Sequence, residues 1–472
     1  MKRLAFILLC VLILLSQTTA YAMEFDTVYD EHLAKSIPIP LCYIHESSVH
    51  YLGDEFGPLN NPQDVFVDGE QNIYIADTGN NRIVKLDPDG GFIGIITVPE
   101  DKTPLNQPQG VFVTAAGDIY IADTDNHRVV ILDKDGNYVK QYEKPESKML
   151  GDDFVFAPRK VSVTSTGNLY VLKQQWLMSI SKEGEFRGFV GVTKVSVSFF
   201  DILRRIFMNE EQRKLEVNAE PPSCLSFDLT AEDEVYVTTM DTTGGQLKKL
   251  NLLGNDIYPR KSVFGEYLLD ENNIMVPEIF VDVASDKTGN VFLLDQKFAR
   301  VCVYDQQGNN LAIIDGSGYG DGELMIPSAL TTDAFGRLII ADQKSNKVHI
   351  YKPTKFMSDI FMAADAYNRG QYTQAVALWE VVAKTDGNYV LANRAIAKSY
   401  YKNADYERAM DYYRLADDKA GYSEAYSKHR HLIYKNNFFL IMGMVALASG
   451  AIIFGLFKYK KYSIVLLDNF NR

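Results

Sequence analysis

Pro62-Gln63-Asp64-Val65-Phe66-Val67 and Pro108-Gln109-Gly110-Val111-Phe112-Val113, 46 residues further on, are two copies of one segment. Each runs through a short turn into a second matching stretch, Asn72-Ile73-Tyr74-Ile75-Ala76-Asp77 in one copy and Asp118-Ile119-Tyr120-Ile121-Ala122-Asp123 in the other. Alternating apolar residues, a turn and renewed alternation predict antiparallel strands. A 46-residue offset (108 − 62) is too short for a domain and suits a four-stranded blade. Further copies are read at Pro158, near Pro222, near Pro277 and at Pro327. The proline stands 12 residues before the matching position of the second strand in Pro62/Tyr74, Pro108/Tyr120, Pro158/Tyr170 and Pro327/Ile339; the copies near Pro222 and Pro277 are out by about two residues.

Turns such as Asp87-Pro88-Asp89-Gly90, Asp133-Lys134-Asp135-Gly136 and Gln307-Gly308-Asn309 supply the φ > 0 positions that hairpins need. Asp133-Lys134-Asp135-Gly136-Asn137 is read as one of these hairpins, because it lacks the downstream glutamate of a calcium loop. A single unit cannot bury both faces of its sheet, whereas units stacked around an axis can. The predicted fold is an all-β six-bladed β-propeller over residues 40–354. The last copy, 328–352, has room for three strands, and 40–52 offers a strand without a blade, so that strand is expected to close the ring.

Asp77-Thr78-Gly79-Asn80-Asn81-Arg82-Ile83 and Asp123-Thr124-Asp125-Asn126-His127-Arg128-Val129 resemble the signature of NHL repeats. The Asp/basic pair five residues apart recurs as Asp295/Arg300 and Asp342/Lys347 and is missing from the third and fourth units. Those units are separated by an insert at about 193–221, in which Phe199, Phe200, Leu203, Ile206 and Phe207 fall on one helical face. It reads either as a helical hairpin packed on the rim or as a docking surface for a partner or the bilayer.

Beyond the propeller the period changes. Ala363, Tyr372, Ala375 and Trp379 recur 34 residues later as Ala397, Tyr406, Ala409 and Tyr413, and this spacing resembles tetratricopeptide (TPR) repeats over 355–434. Residues 438–457 contain no charge and no proline. Twenty such residues at ~1.5 Å each match the ~30 Å of a hydrocarbon core, so a transmembrane helix is expected there. At the other end Met1-Lys2-Arg3, an apolar run and Ala20-Tyr21-Ala22 read as a signal peptide over 1–22, with an uncleaved anchor as the alternative. Together the two ends predict a single-pass cell-membrane protein with the bulk of the chain extracytoplasmic and 458–472 cytoplasmic.

A net charge of −13 argues against nucleic-acid partners and against docking on anionic lipid. Cys42, Cys224 and Cys302 have no metal-ligand spacing and sit among apolar residues, as small core residues do. Amidating lyases built on this repeat use channel histidines on zinc, and propeller lactonases hold a metal with carboxylates and amides. The histidines here (His32, His45, His50, His127, His349, His429 and His431) do not recur at equivalent blade positions. No catalytic residue, metal or cofactor is therefore expected. The residues after each opening proline should border the central channel: Gln63 and Asp64, Gln109, Arg159 and Lys160, Ser223, Glu278 and Ser328. This mixed donor and acceptor ring suits a neutral glycan or peptide, or else a hydrated channel mouth.

The expected function is that of a membrane-anchored binding or scaffold protein recruiting a protein or glycan partner. Its layout resembles bacterial membrane proteins encoded beside carbohydrate ABC transporters, which implies a transporter subunit as partner. The alternative is a propeller hydrolase or lyase, lactonase-like, acting on extracellular sugar derivatives.

Overall fold

The computed structural model describes residues 25–190 and 223–470, apart from 32–33, 148–149, 151–152, 242–243, 261, 267, 270–274 and 319. The signal-peptide segment, His32 and the insert residues Phe199, Phe200, Leu203, Ile206 and Phe207 lie outside the described residues.

Six antiparallel sheets surround one axis. The first four blades open on the innermost strands Pro62–Val67, Pro108–Val113, Pro158–Val163 and Cys224–Leu229, and the last two on Phe280–Ser285 and Pro327–Thr332. Each is followed by a second strand that is buried nearly throughout, such as Ile73–Asp77 and Val291–Asp295. Burial on both faces follows from the alternation. Ile73 and Ile75 pack toward the sixth blade with Ile339 and Val348, while Tyr74 and Ala76 pack toward the second with Val111 and Ile121. Equivalent clusters join the second blade to the third, the third to the fourth, the fourth to the fifth and the fifth to the sixth. A one-residue slip in any second strand would exchange these two sets of contacts, which fixes the register.

The ring closes as the strand count requires. Tyr43–Val49 pairs antiparallel with Lys347–Pro353 and completes the sixth blade from the N-terminal end of the propeller. Two more strands, Asp26–Asp30 and Lys35–Ile39, precede it and extend the fifth blade into a six-stranded sheet, a feature not anticipated from the sequence. Among the described residues the fourth blade has three strands. On the face opposite the ring, hairpin turns are fastened by one side chain each. Asp133 accepts from the backbone N–H groups of Asp135 and Asn137, while Gly136 takes the left-handed φ of 83° that the turn demands. This is the hairpin expected at 133–137.

Six helices follow among the described residues: α1 (Lys355–Asn368), α2 (Tyr372–Thr385), α3 (Val390–Lys402), α4 (Tyr406–Leu415), α5 (Lys419–Asn436) and α6 (Phe438–Phe470). Thr354 caps α1 by accepting from Met357 N–H and donates its hydroxyl proton to the Leu41 carbonyl, so the helix start is tied to the segment that leads into the ring-closing strand. Fully buried alanines (Ala363, Ala375, Ala392, Ala397, Ala409 and Ala425) let successive helices approach closely. The first helices share one core with the fifth and sixth blades and the N-terminal hairpin, through Phe356, Met357, Ile360, Trp379 and Tyr389 against Val28, Ile37, Phe292 and Leu311. The Tyr389 hydroxyl donates to the Leu311 carbonyl at 2.9 Å. By contrast α5 buries only Ala425 and projects outward into α6. Within α6, Phe438–Lys460 is long and apolar enough to cross a membrane, and no part of its most apolar stretch is buried among the described residues.

Candidate functional site

The site is built by a defect that recurs in every blade. Each innermost strand carries a register shift at its start, at Pro62/Asp64, Pro108/Gly110, Pro158/Lys160, Cys224/Ser226, Phe280/Asp282 and Pro327/Ala329. A bulge of this kind leaves one residue unpaired and re-aims its neighbours. Here it creates two tiers around the axis. The outer tier is Gln63, Gln109, Arg159, Leu225, Val281 and Ser328, all at least partly exposed. The inner tier is Asp64, Gly110, Lys160, Ser226, Asp282 and Ala329. Eleven of these twelve, all but Gly110, line one axial cavity of about 40 Å³.

Lys160 dominates the inner tier. Its Nζ donates to Asp282 Oδ1 at 2.6 Å and lies 3.8 Å from Asp64 Oδ1. Asp282 also accepts from Ser226 Oγ at 2.5 Å and from the Leu330 N–H at 2.8 Å, while Asp64 accepts from the Val111 N–H at 3.0 Å. The carboxylates thus tie the fifth blade to the sixth and the first to the second, and the ammonium from the third blade joins them. Further stitches run blade to blade from Thr78 to the Pro108 carbonyl, Thr124 to that of Pro158 and Ser328 to that of Pro62. Gly110 is obligatory in this arrangement, because a Cβ there would stand 2.5 Å from the Arg159 carbonyl oxygen and 2.9 Å from Lys160 Cα.

Burial raises the Asp64 carboxyl to about 6; Lys160 opposes the rise and Asp282 adds to it. Burial works against charge on Lys160 too, but Asp282 and Asp64 outweigh it and hold the ammonium above its ordinary value. Asp228, which accepts from the Ser285 N–H and hydroxyl, is likewise raised to about 6 by burial. The axial cavity is therefore lined by a cation, Lys160, and by a carboxyl group, Asp64, raised by burial to about 6. A space of ~40 Å³ admits a few waters.

The structure brings together Gln63, Asp64, Gln109, Arg159, Lys160 and Ser328 as expected from the sequence. It places Ser223 and Glu278 elsewhere. Ser223 precedes the fourth blade, its hydroxyl donating to Gln175 Oε1 at 2.8 Å. Glu278 is 1% exposed and pairs with Arg300 beside the Cys302 thiol at 3.2 Å, away from the axis. The residues that take their places are Leu225 with Ser226 and Val281 with Asp282. The twelve-residue interval identifies them: Cys224 to Tyr236 and Phe280 to Phe292 both span it, so cysteine and phenylalanine stand where the other blades have proline. Among the described residues, no three histidine, cysteine or carboxylate side chains converge as metal ligands would.

On the same face the Asp/Arg signature acts as a loop clamp. Arg82 Nε and Arg128 Nε each donate to their aspartate at 2.7 Å, and the other oxygen of each aspartate accepts a backbone N–H of the loop before the blade, at Asn60 and Asn106. The two later pairs do not close in this way. Arg300 turns to Glu266 and Glu278 and stands 3.9 Å from Asp295, and Lys347 reaches Asp321.

The NHL repeat family matches residues 59–86 and 105–132, the first two blades. No curated protein matches the chain. Among solved structures, similarity extends to virginiamycin B lyase from Staphylococcus aureus, with 11% identity, 65% of this chain and 98% of that chain covered, and a TM-score of 0.37. It extends to Kuenenia stuttgartiensis hydrazine synthase at 13% identity, covering 66% and 99%, TM-score 0.40. A putative gluconolactonase shares 12% identity over 70% of this chain and 98% of its own, TM-score 0.40. The chain is thus a six-bladed β-propeller with NHL repeats in its first two blades, followed by six helices of which the last is a candidate membrane span.

Proposed function

We propose that this protein is a membrane-anchored, extracytoplasmic binding protein that recognises its partner on the outer tier of the axial ring. The observation that carries this reading is the state of the axis. Lys160, Asp64 and Asp282 satisfy one another around a ~40 Å³ cavity, and the surface offered outward is Gln63, Gln109 and Arg159 beside Leu225 and Val281. Recognition of this kind takes place on a surface, with polar groups fixing orientation and apolar ones supplying area. The TPR-like helices form a second surface, and the apolar span of α6 confines both near membrane partners, a transporter subunit among them. A crosslinked pull-down of full-length protein from native membranes tests the reading. Wild type should recover one stoichiometric membrane partner and the Gln63→Ala/Arg159→Ala variant should not; equal recovery by both would overturn it.

One observation favours a hydrolase or lyase instead, namely the Asp64 carboxyl raised to about 6, a value suited to proton transfer. Turnover of lactones by the purified protein that vanishes in Asp64→Asn would establish that role.

A further inference from the structure

The third strand of each blade runs away from the ring face. That of the sixth blade, Lys347–Pro353, leads through Thr354 into α1, and those of the first five blades lead into hairpin turns on the face from which the helices start. The tips of these turns read Pro88-Asp89, Lys134-Asp135, Lys182-Glu183 and Gln306-Gln307 in the first, second, third and fifth blades, and Leu252-Leu253 in the fourth. The residue that fastens the turn changes with them. Asn251 Oδ1 accepts from the N–H groups of Leu253 and Asn255, where Asp87, Asp133 and Asp305 make the same pair of bonds in their own turns. From Asn251 to Asn255 the fourth-blade turn thus carries no charge, and its two leucines are 73% and 84% exposed.

A single exposed leucine calls for no explanation. Two at the end of a turn from which the usual charges have gone are a different case. An ionised fastener would be costly to take out of water, and asparagine makes the same two bonds without that cost. The tip is therefore built to leave water, and the course of the chain says what receives it. Arg260, seven residues (260 − 253) past the tip, lines one cleft with Gly421 and Glu424 of α5. From Glu424, α5 reaches the apolar span at Phe438 in 14 residues (438 − 424), or ~21 Å along a helix. A tether this short keeps the tip at high effective concentration beside the bilayer. Because α5 buries only Ala425, little packing resists a lean of the propeller toward the membrane. The net charge of −13 opposes anionic headgroups, so the contact is apolar and suits zwitterionic lipid.

We propose that the Leu252-Leu253 tip inserts into the membrane that α6 crosses, a second contact that turns the ring face away from the lipid. The proposal rests on membrane anchorage by α6. Its test is full-length Leu253→Cys protein labelled with a nitrobenzoxadiazole dye, in nanodiscs of phosphatidylcholine whose acyl chains carry bromine, a quencher confined to the lipid. Wild type taken through the same labelling is the blank, since Cys42, Cys224 and Cys302 are at most 6% exposed. Dye on Leu253→Cys should be quenched about twofold or more, as apolar groups seated at the acyl boundary are, and dye on Asp125→Cys, on an exposed ring-face loop, should not be. Adding Leu252→Asp should abolish the difference. Equal quenching at the two positions, quenching at Leu253→Cys that Leu252→Asp leaves unchanged, or emission that follows the number of protein copies per disc would overturn the proposal alone. Failure of the full-length protein to enter the discs would overturn the anchorage together with it.

Discussion

Lys160 of the third blade reaches Asp282 of the fifth at 2.6 Å, so the axis of the propeller is spanned by an ion pair between blades that are not neighbours. Each partner depends on the other. Lys160→Met leaves two buried carboxylates without their cation, and breaking a buried pair costs about 3–5 kcal/mol. Thermal unfolding of the full-length protein should show the loss, and adding Asp282→Asn to the variant should recover part of it. Equal melting temperatures for wild type and Lys160→Met would show that the pair holds nothing together.

Gly110→Ala tests how closely the second and third blades approach. Its new methyl would press on backbone of the next strand, at the Arg159 carbonyl and Lys160 Cα, which cannot swing aside. Overpacking of this kind costs about 1–3 kcal/mol. Gly94→Ala, with nothing within 4 Å of the added carbon, is the control and should melt with the wild type.

The loop clamps of the first two blades should outweigh their later counterpart. Arg128→Ala removes a side chain 6% exposed from an aspartate 0% exposed, and should cost about 3 kcal/mol or more. Lys347, 31% exposed and 3.7 Å from Asp321, should cost less than about 1 kcal/mol on replacement by alanine. Denaturant titrations of the two variants, compared with wild type, measure both values.

The ring-closing seam should weaken in acid. His349 is 1% exposed, its Nδ1 meets the Ser48 hydroxyl that also meets His45, and its Nε2 has no hydrogen-bond partner among the described residues. Burial lowers its pKa from 6.5 to about 4, with Asp342 and Asp321 opposing and His45 and Lys347 assisting. Between those values the unfolded chain takes up a proton that the folded one refuses. This contribution is therefore whole above pH 6.5 and lost as pH falls toward 4, about 3 kcal/mol in all. Asp26, Asp64, Asp228 and Asp295, each raised to about 6, have the opposite slope but are common to wild type and His349→Phe. The difference in melting temperature between these two proteins should shift in favour of the variant as pH falls from 7.5 to 4.5; a pH-independent difference would contradict the assignment.

Much of this arrangement was legible in the sequence because a propeller repeats its local rules. Alternation located the strands, the count of strands in the last unit implied the closing strand, and Gln63, Arg159 and Lys160 were found from the proline that opens their blades. The proline was a marker of the bulge and not its cause. Where Cys224 and Phe280 start the strand, reading from the nearest proline led to Ser223 and Glu278 and missed Ser226 and Asp282. The N-terminal hairpin was illegible for another reason. Its five-residue strands carry no repeat signature, and what holds them is tertiary: Val28 and Ile37 in the core shared with α1 and α2, and Asp30 against Arg394. Asp295 and Asp342 carried the local pattern of a clamp, but their basic partners found stronger or nearer carboxylates, which no spacing rule reveals.

Site-specific photo-crosslinking from Gln109 in the full-length protein, in its native membranes, separates recognition on the outer tier from chemistry at the axis. Gln109 stands on the outer tier, and Val139, 53% exposed on the outermost strand of the same blade, is the control position. Recognition on the outer tier predicts a single discrete adduct from Gln109, none from Val139, and loss of the adduct when Gln63→Ala/Arg159→Ala is introduced. No adduct from Gln109, together with lactone turnover that disappears in Asp64→Asn, would contradict it and make the axis an active site.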